Sequence, residues 1–284
     1  MPKRYELSDE HWAIVAELFT THQRTGRPRA DDRLMLNGVL WVLCSGATWR
    51  DMPERFGPWS TVYQRFRDWR NQGIFNQMLK RLHIRLNAEC LIDLDTWCID
   101  STAVKASRAS SGAGKKGGAQ EPADHALGRS RGGLTTKIHM VCDARGVPLH
   151  FTLSGGQASD ISHAQPLLDG VYLPTKGGRP RKRCRMLVAD KGYDSDALRR
   201  YCDRYHMQPV IPFRAMKRKP KLGLPRLLDN PKYKERNIIE RLFGWLKEHR
   251  RLGTRYCKLA QSYAAMVTLA CWRRCLRHYF SYRT

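Results

Sequence analysis

Three acidic residues stand where a rigid scaffold would present them. Asp100 ends a strand-like run, LIDLDTWCID, and Asp190 ends another, RCRMLVAD. Glu240 lies in a helical stretch, YKERNIIERLFGWLKEHRRL, beside the apolar Ile239, Leu242, Phe243 and Leu246. Functional groups gather at strand ends in α/β sheets, where loops expose them on a fixed frame. Carboxylates suit hard divalent cations such as Mg²⁺, which bind oxygen, keep several waters and share them with substrate phosphates. Two such ions about 4 Å apart activate the attacking oxygen and stabilise the leaving one in an in-line displacement at phosphorus. Residue type alone does not separate these three from Asp93 and Asp95, nor from Asp194, which reads equally as a cap for the helix after Tyr193.

The elements that must position them change period along the chain. Residues 5–85 read as helical. Ser8 caps DEHWAIVAELF, in which Trp12, Val15, Ala16 and Phe19 recur at helical spacing. A break at Gly26–Pro28 precedes LMLNGVLWVLCSG, which ends near Gly46. A short helix, TWRDMPERF, a turn at Gly57–Pro58 and a second helix capped by Ser60 fit a helix-turn-helix. Val62, Phe66 and Trp69 would dock inward, leaving Arg65, Arg67 and Arg70 to DNA. The same pattern fits an ordinary helical hairpin with solvated arginines.

From about residue 91 the chain favours strands. Residues 105–133 are Gly, Ser, Ala and Lys/Arg with little to bury and predict a flexible basic loop. LTTKIHMVCD and VPLHFTLS, joined at Ala144–Gly146, predict a β-hairpin. A helix over 160–168, a strand over 183–190, the helix SDALRRYCDRYH and the strand MQPVIPF follow. Beyond the basic, Pro-containing stretch Lys217–Pro225, helices are expected over Tyr233–His249 and Ser262–Tyr279. The order β-β-β-α-β-α-β-α implies an antiparallel meander extended by parallel strands with right-handed crossovers. The expected fold class is α/β, a ribonuclease-H-like mixed sheet flanked by helices (residues 89–284), preceded by a helical, helix-turn-helix-like DNA-binding domain (residues 1–88).

Charge narrows the partner. Fifty-one Lys and Arg against 26 Asp and Glu leave a net charge of +25 and a pI near 10.1. Such a surplus points to nucleic acid, because neutralising phosphates releases condensed counterions. No run approaches the ~18 apolar residues of a spanning helix, and no apolar segment follows the charged N-terminus, so neither a membrane nor a secretory role is expected. Nine scattered cysteines read as reduced thiols of a cytoplasmic protein. Cys271 and Cys275, four apart, lack a second pair to complete a zinc site. His139 and His150 read as structural or exposed, Trp245 and Trp272 as core residues, and Asp160 as a helix cap.

Several spacings carry a resemblance. Tyr233, Arg236, Glu240 and Lys247 reproduce a Y-(2)-R-(3)-E-(6)-K signature with every gap intact. IDST at 99–102 and ADKGYDS at 189–195 are similar to the motifs around the first and second aspartates of the same family, and residues 26–57 resemble its helical N-terminal region. The chain resembles the bacterial insertion-sequence DDE transposases of the group named after insertion sequence five, over essentially its whole length. That resemblance implies Asp100, Asp190 and Glu240 as metal ligands and catalytic residues, with Mg²⁺ as cofactor and Mn²⁺ able to substitute. It implies that Tyr233, Arg236 and Lys247 contact DNA near the transposon end. It further implies nicking at terminal inverted repeats, attack of the freed 3′ hydroxyl on target DNA, a homodimer pairing two ends, and action at the bacterial nucleoid. The rival readings are a DNA-binding repressor without catalysis, a related ribonuclease-H-like nuclease or resolvase, and a basic RNA-binding protein.

Overall fold

The computed structural model describes residues 5–19, 30–111, 125–175, 178–214 and 227–281. Helix α1, Asp9–Ala13, starts at Ser8, whose Oγ accepts the His11 N–H at 3.2 Å. Helix α2, Asp32–Ser45, starts at Asp31, whose carboxylate accepts the N–H groups of Arg33 and Leu34. It stops at Gly46, which turns the chain with φ of 73°. A Cβ there would stand 2.6 Å from the Cβ of Arg250, so glycine serves both the turn and the close approach. The Gly26–Pro28 break and the Lys217–Pro225 stretch lie outside the described residues.

The segment TWRDMPERF departs from expectation. Instead of one helix it forms two three-residue 3₁₀ turns, Trp49–Asp51 and Glu54–Phe56. Pro53, between them, has no N–H with which to continue a ladder. Helix α3, Trp59–Asn71, begins after Pro58 rather than after a Ser60 cap, and α4 follows over Ile74–Ala88. Val62, Phe66 and Trp69 are buried on α3, as their spacing requires.

Strand β1, Thr96–Ala106, is the centre of the sheet. It pairs antiparallel with β3, Gly133–Asp143, which pairs antiparallel with β4, Pro148–Gly155, through the turn at Gly146. On its other side β1 runs parallel to β5, Met186–Val188, and β5 parallel to β6, Gln208–Val210. The predicted meander with added parallel strands is thus present. Two short strands were not foreseen. Strand β2, Gly128–Ser130, pairs with β3, and β7, Thr254–Arg255, pairs parallel with the far end of β1.

These two short pairings correct the expected loop at 105–133. Its ends are ordered: Lys105 and Ala106 belong to β1, residues 128–130 form β2, and Ser110 and Ala126 are buried. Residues 112–124 lie outside the described part. Backbone pairing, which composition cannot report, holds those ends.

Helices α5 (Asp160–Asp169), α6 (Asp196–Arg204), α7 (Asn230–Lys234), α8 (Asn237–Glu248), α9 (Arg250–Gly253) and α10 (Ala260–Ser281) complete the chain. One apolar core runs from Ile14 and Leu36 through Trp97 and Val141 to Trp272, so α10 packs against α2, α3 and α4 as well as β4. Trp272 is fully buried and Trp245 half-buried against His249. All nine cysteines are free thiols and only Cys90 is exposed, with Cys271 and Cys275 in the core. Among the described residues no helix is long and apolar enough to cross a membrane.

His83 ties α4 to the sheet. Its Nε2 lies 2.9 Å from the Pro148 carbonyl and therefore carries the proton it donates. Burial lowers its pKa from 6.5 to about 4. The folded state keeps this ring neutral while the unfolded chain protonates it near 6.5, so its contribution is intact above that pH and is lost as pH falls toward 4. At pH 5 the difference amounts to about 2 kcal/mol. Denaturant unfolding at pH 7.5 and pH 5.0 should therefore show the wild type losing about 2 kcal/mol more than His83→Gln, which keeps a donor without the titration. Equal losses in the two proteins would refute this account.

Candidate catalytic carboxylates

Three elements bring the acids together. Asp190 follows β5 by two residues and caps the 3₁₀ turn Lys191–Tyr193, its Oδ1 accepting the Gly192 N–H at 2.8 Å. A Cβ on residue 192 would lie 2.7 Å from that oxygen, so the folded-back carboxylate needs glycine there. Glu240 stands in the first turn of α8, whose buried face is Ile239, Leu242, Phe243 and Leu246. Each of those side chains contributes roughly 1.5–3 kcal/mol on burial, which holds the helix and hence its carboxylate in place.

Asp100 is not at a strand end. It sits inside β1, which continues to Ala106 because β3 pairs with it as far as Lys105 and β7 meets it at Lys105 and Ala106. What ends near Asp100 is the neighbour: β5 last pairs at Cys98 with Val188. Asp100 therefore faces the space beyond the end of β5, where Asp190 emerges.

Arg236 joins the acids. Its Nη1 donates to Asp100 Oδ2 at 2.9 Å and its Nη2 donates to Glu240 Oε1, one guanidinium spanning two carboxylates. Burial pushes the Asp100 carboxyl up to about 6, and the charges of Asp190 and Glu240 push the same way. The Ser101 N–H, which donates to Asp100 Oδ1 at 2.7 Å, and Arg236 oppose that rise.

Tyr233, Arg236 and Lys247 surround this cluster differently. The predicted single helix from Tyr233 is interrupted at Glu235–Arg236, placing Tyr233 on α7 and Glu240 on α8. The Arg236 guanidinium lies 6.0 Å from the Tyr233 ring centroid, at the limit of a cation–π contact. Lys247, at the other end of α8, reaches across β1 to the Ala103 carbonyl at 3.4 Å. Arg65, Arg67 and Arg70 lie apart from the acids on α3. Arg65 is 3.9 Å from Asp32, Arg70 bonds Ser262 and Asn71, and Arg67 is exposed.

The competing aspartates are engaged elsewhere. Asp93 accepts the N–H groups of Asp95 and Thr96 at the start of β1. Asp95 is exposed and lies 3.8 Å from Arg181. Asp194 does not cap α6, a task Ser195 performs, but is buried in an ion pair with Arg199 at 3.0 Å.

Asp160 was missed as a contributor. It is the first residue of α5 rather than its cap, which is Ser159. Its Oδ1 accepts from Ser101 Oγ at 2.7 Å and from Lys137 Nζ at 3.0 Å, linking α5 to the residue beside Asp100. His139 is buried next to it, with Nδ1 3.7 Å from Asp160 and its ring stacked on His163 at 4.4 Å. Burial and His163 lower the His139 pKa to about 4. His150, half-buried, lines the groove between α4 and β4 instead. Strand alternation puts Lys137 and His139 on one face, and that was the available signal.

The chemistry of the cluster suits a divalent cation. Three mutually repelling carboxylates are a hard-oxygen donor set of the kind such ions take. Among the described residues no group of three His, Cys, Asp or Glu side chains is gathered tightly enough to hold an ion. The Arg236 guanidinium accounts for that spacing, since it stands between Asp100 and Glu240 as their internal counter-cation. The donor chemistry fits, and the cation place is filled by an arginine.

Comparison with known proteins places the chain in a family. Residues 7–79 match the family model described as "Putative transposase of IS4/5 family", and residues 93–273, more than half of the chain, match the model described as "Transposase DDE domain". The chain is 34% identical over 142 residues to the "Putative transposase for insertion sequence element IS402" of Burkholderia cepacia, a match covering 49% of this chain and 62% of that protein. It is 32% identical over 138 residues to the "Putative transposase for insertion sequence element IS6501" of Brucella ovis, covering 49% of this chain and 95% of that one. The crystal structure of the Mos1 strand transfer complex aligns over 91% of this chain and 81% of its own at 13% identity, with a TM-score of 0.26 that carries no weight. With both family models matched in order along the chain, the second over more than half of it, the chain belongs to the DDE transposases of insertion sequences.

Proposed function

We propose that this chain binds the terminal inverted repeats of an insertion sequence, cuts a DNA strand there, and joins the freed 3′ hydroxyl to target DNA. The supporting observation is that Asp100 of the central strand and Glu240 of a helix meet on Arg236, with Asp190, past the end of β5, near enough for its charge to raise the Asp100 carboxyl. Sheet order β4-β3-β1-β5-β6, with the last two strands parallel, supports assigning residues 89–284 to the ribonuclease-H-like arrangement. Residues 1–88, with Arg67 exposed on α3, are the proposed DNA-binding region in a helix-turn-helix-like role.

Asp100, Asp190 and Glu240 would hold Mg²⁺, or Mn²⁺ in its place. Such ions, when bound, supply activation of the attacking oxygen and stabilisation of the leaving one. The protein's own groups orient the rest. Ser101 and Gly192 N–H groups hold the Asp100 and Asp190 carboxylates. Arg236, released from a carboxylate, offers a planar fork that matches a phosphate in two hydrogen bonds. Tyr233 and Lys247 flank it on either side of the proposed DNA path. Since each end needs its own set of carboxylates, the active species is a homodimer pairing two ends, working in the bacterial cytoplasm at the nucleoid.

The test uses a supercoiled plasmid carrying the reading frame with its flanking DNA, including any terminal inverted repeats found there, incubated with the protein and Mg²⁺ or Mn²⁺. Metal-dependent nicks at the repeat ends and covalent joining of those ends to a second plasmid are expected. Binding without nicks would leave a repressor, and nicks without joined products would leave a nuclease.

A further inference from the structure

A second concentration of charge lies at the opposite end of β5 from Asp190. Between residues 179 and 185 five side chains are cationic: Arg179, Arg181, Lys182, Arg183 and Arg185. Arg183 is half-buried and the others are exposed. Together they line an open concavity of about 660 Å³, with Tyr205 at its margin.

This segment is held on a frame. Leu173 and Arg181 exchange both backbone hydrogen bonds, at 3.0 and 2.9 Å. The Arg185 N–H donates to the Asp95 carbonyl at 2.9 Å, and its carbonyl accepts the Gln208 N–H at 2.7 Å. Only two of the five cations have an acid partner among the described residues. Arg181 is 3.8 Å from Asp95, and Arg183 is 2.6 Å from Asp169. Arg179, Lys182 and Arg185 are exposed and have no acid partner among the described residues, which leaves their charge available to a polyanion.

Aromatic rings stand among these cations. The Arg183 guanidinium lies 4.2 Å from the Tyr205 centroid. Tyr172, 50% exposed, has Lys182 Nζ 6.0 Å and Lys80 Nζ 5.6 Å from its ring. Pre-positioned guanidinium and ammonium groups with exposed rings between them suit a sugar-phosphate backbone, where charge supplies affinity independent of sequence. Arg185 and Asp190 are separated by five residues of nearly extended chain, about 16 Å, at opposite ends of a strand. The patch and the carboxylates thus stand at opposite ends of β5, and none of the five cations pairs with Asp100, Asp190 or Glu240.

We propose that residues 179–185 form a second duplex-DNA surface, which grips the phosphate backbone of a DNA segment other than the one presented to Asp100, Asp190 and Glu240. The identity of the polyanion rests on the transposase reading; the existence of the site does not.

The experiment compares the full chain with Arg179→Ala/Lys182→Ala/Arg185→Ala and with Lys182→Glu. Binding of a random-sequence 30-bp duplex and of a 30-nucleotide single-stranded RNA is followed by fluorescence anisotropy over a range of NaCl concentrations, beside metal-dependent nicking of the repeat-bearing plasmid. All three side chains are exposed, and an unchanged melting temperature verifies the fold. The triple variant should bind the random duplex about tenfold or more weakly at 150 mM salt, with a log K against log [salt] slope shallower by about 2–3. Lys182→Glu should shift in the same direction, and nicking at the repeat ends should persist in both. An unchanged salt slope overturns the proposal. So does a loss confined to single-stranded RNA, which would make this an RNA surface, or a parallel loss of nicking, which would make the two surfaces one duplex path. If the wild type never nicks but the slope still falls, the patch stands and the transposase reading fails.

Discussion

Glu240→Ala is expected to stop strand cleavage, lowering its rate on the order of a thousandfold or more, while the affinity for transposon-end DNA stays within about twofold. The size of the effect follows from position. Glu240 carries one of three carboxylates that together offer the oxygen donors, and no acid besides Asp100 and Glu240 pairs with Arg236 among the described residues. The side chain is half exposed and its helix is held by residues on the opposite face, so the substitution opens no cavity. The melting temperature should hardly move, which separates lost chemistry from lost fold. Asp190→Ala should cost as much cleavage and about 1 kcal/mol of stability besides, because its Oδ1 caps the Lys191–Tyr193 turn. Asp95→Ala is the control. That residue is exposed at the other end of β1 beside Arg181, and cleavage should persist. Plasmid nicking and anisotropy measured on the same preparations decide the matter. Cleavage by Glu240→Ala within tenfold of the wild type would remove Glu240 from the site.

The second large effect is on stability. Arg255 is fully buried, and its guanidinium donates to four acceptors: the carbonyls of Cys257, Ala126 and Lys258 at 2.9, 3.0 and 3.0 Å, and Thr136 Oγ1 at 2.6 Å. Its cation also faces the Tyr263 ring at 5.3 Å. Arg255 thereby joins β7, β3, the segment before β2 and the start of α10 at one point. Arg255→Ala strips the buried Cys257 carbonyl of its guanidinium donor, leaves the Ala126 carbonyl only its bond from the Thr136 hydroxyl, and opens a void, so a loss of about 3–5 kcal/mol is expected. Thermal unfolding should fall by roughly 10 °C. Arg255→Lys should recover only part of this, since an ammonium cannot reproduce the planar fork. A loss below about 1 kcal/mol for Arg255→Ala would show that water replaces the guanidinium there.

Sequence reading succeeded where the signal is local. Ser8 and Gly46 mark helix boundaries because caps act within three or four residues of the chain. The hairpin of β3 and β4 and the helix beginning at Asp160 were visible for the same reason. Errors arose where a neighbour distant in sequence decides. The length of β1 depends on β3 and β7, and the order at 105–111 and 125–133 depends on pairings and on Arg255. Asp160 looked like a cap because its real partners, Ser101 and Lys137, lie 59 and 23 residues away. Pro53 broke a predicted helix by a rule that was available, since a missing N–H is written in the sequence.

By itself the sequence determined a basic protein with a helical front and a mixed α/β remainder, and its IDST, ADKGYDS and Y-R-E-K motifs, by their resemblance to those of insertion-sequence transposases, marked Asp100, Asp190 and Glu240 among 26 acids. Periodicity, capping and motif spacing are one-dimensional, and they survive in a string of letters. Tertiary structure alone decided that Asp100 lies within β1 and past the end of β5, that Arg236 bridges it to Glu240 across 136 residues, and that five cations stand at the far end of the same strand. Those facts depend on which surfaces meet, and meeting is set by packing of the whole chain: a carboxylate gains its pKa, its partner and its role only once burial has removed the water that would otherwise screen it.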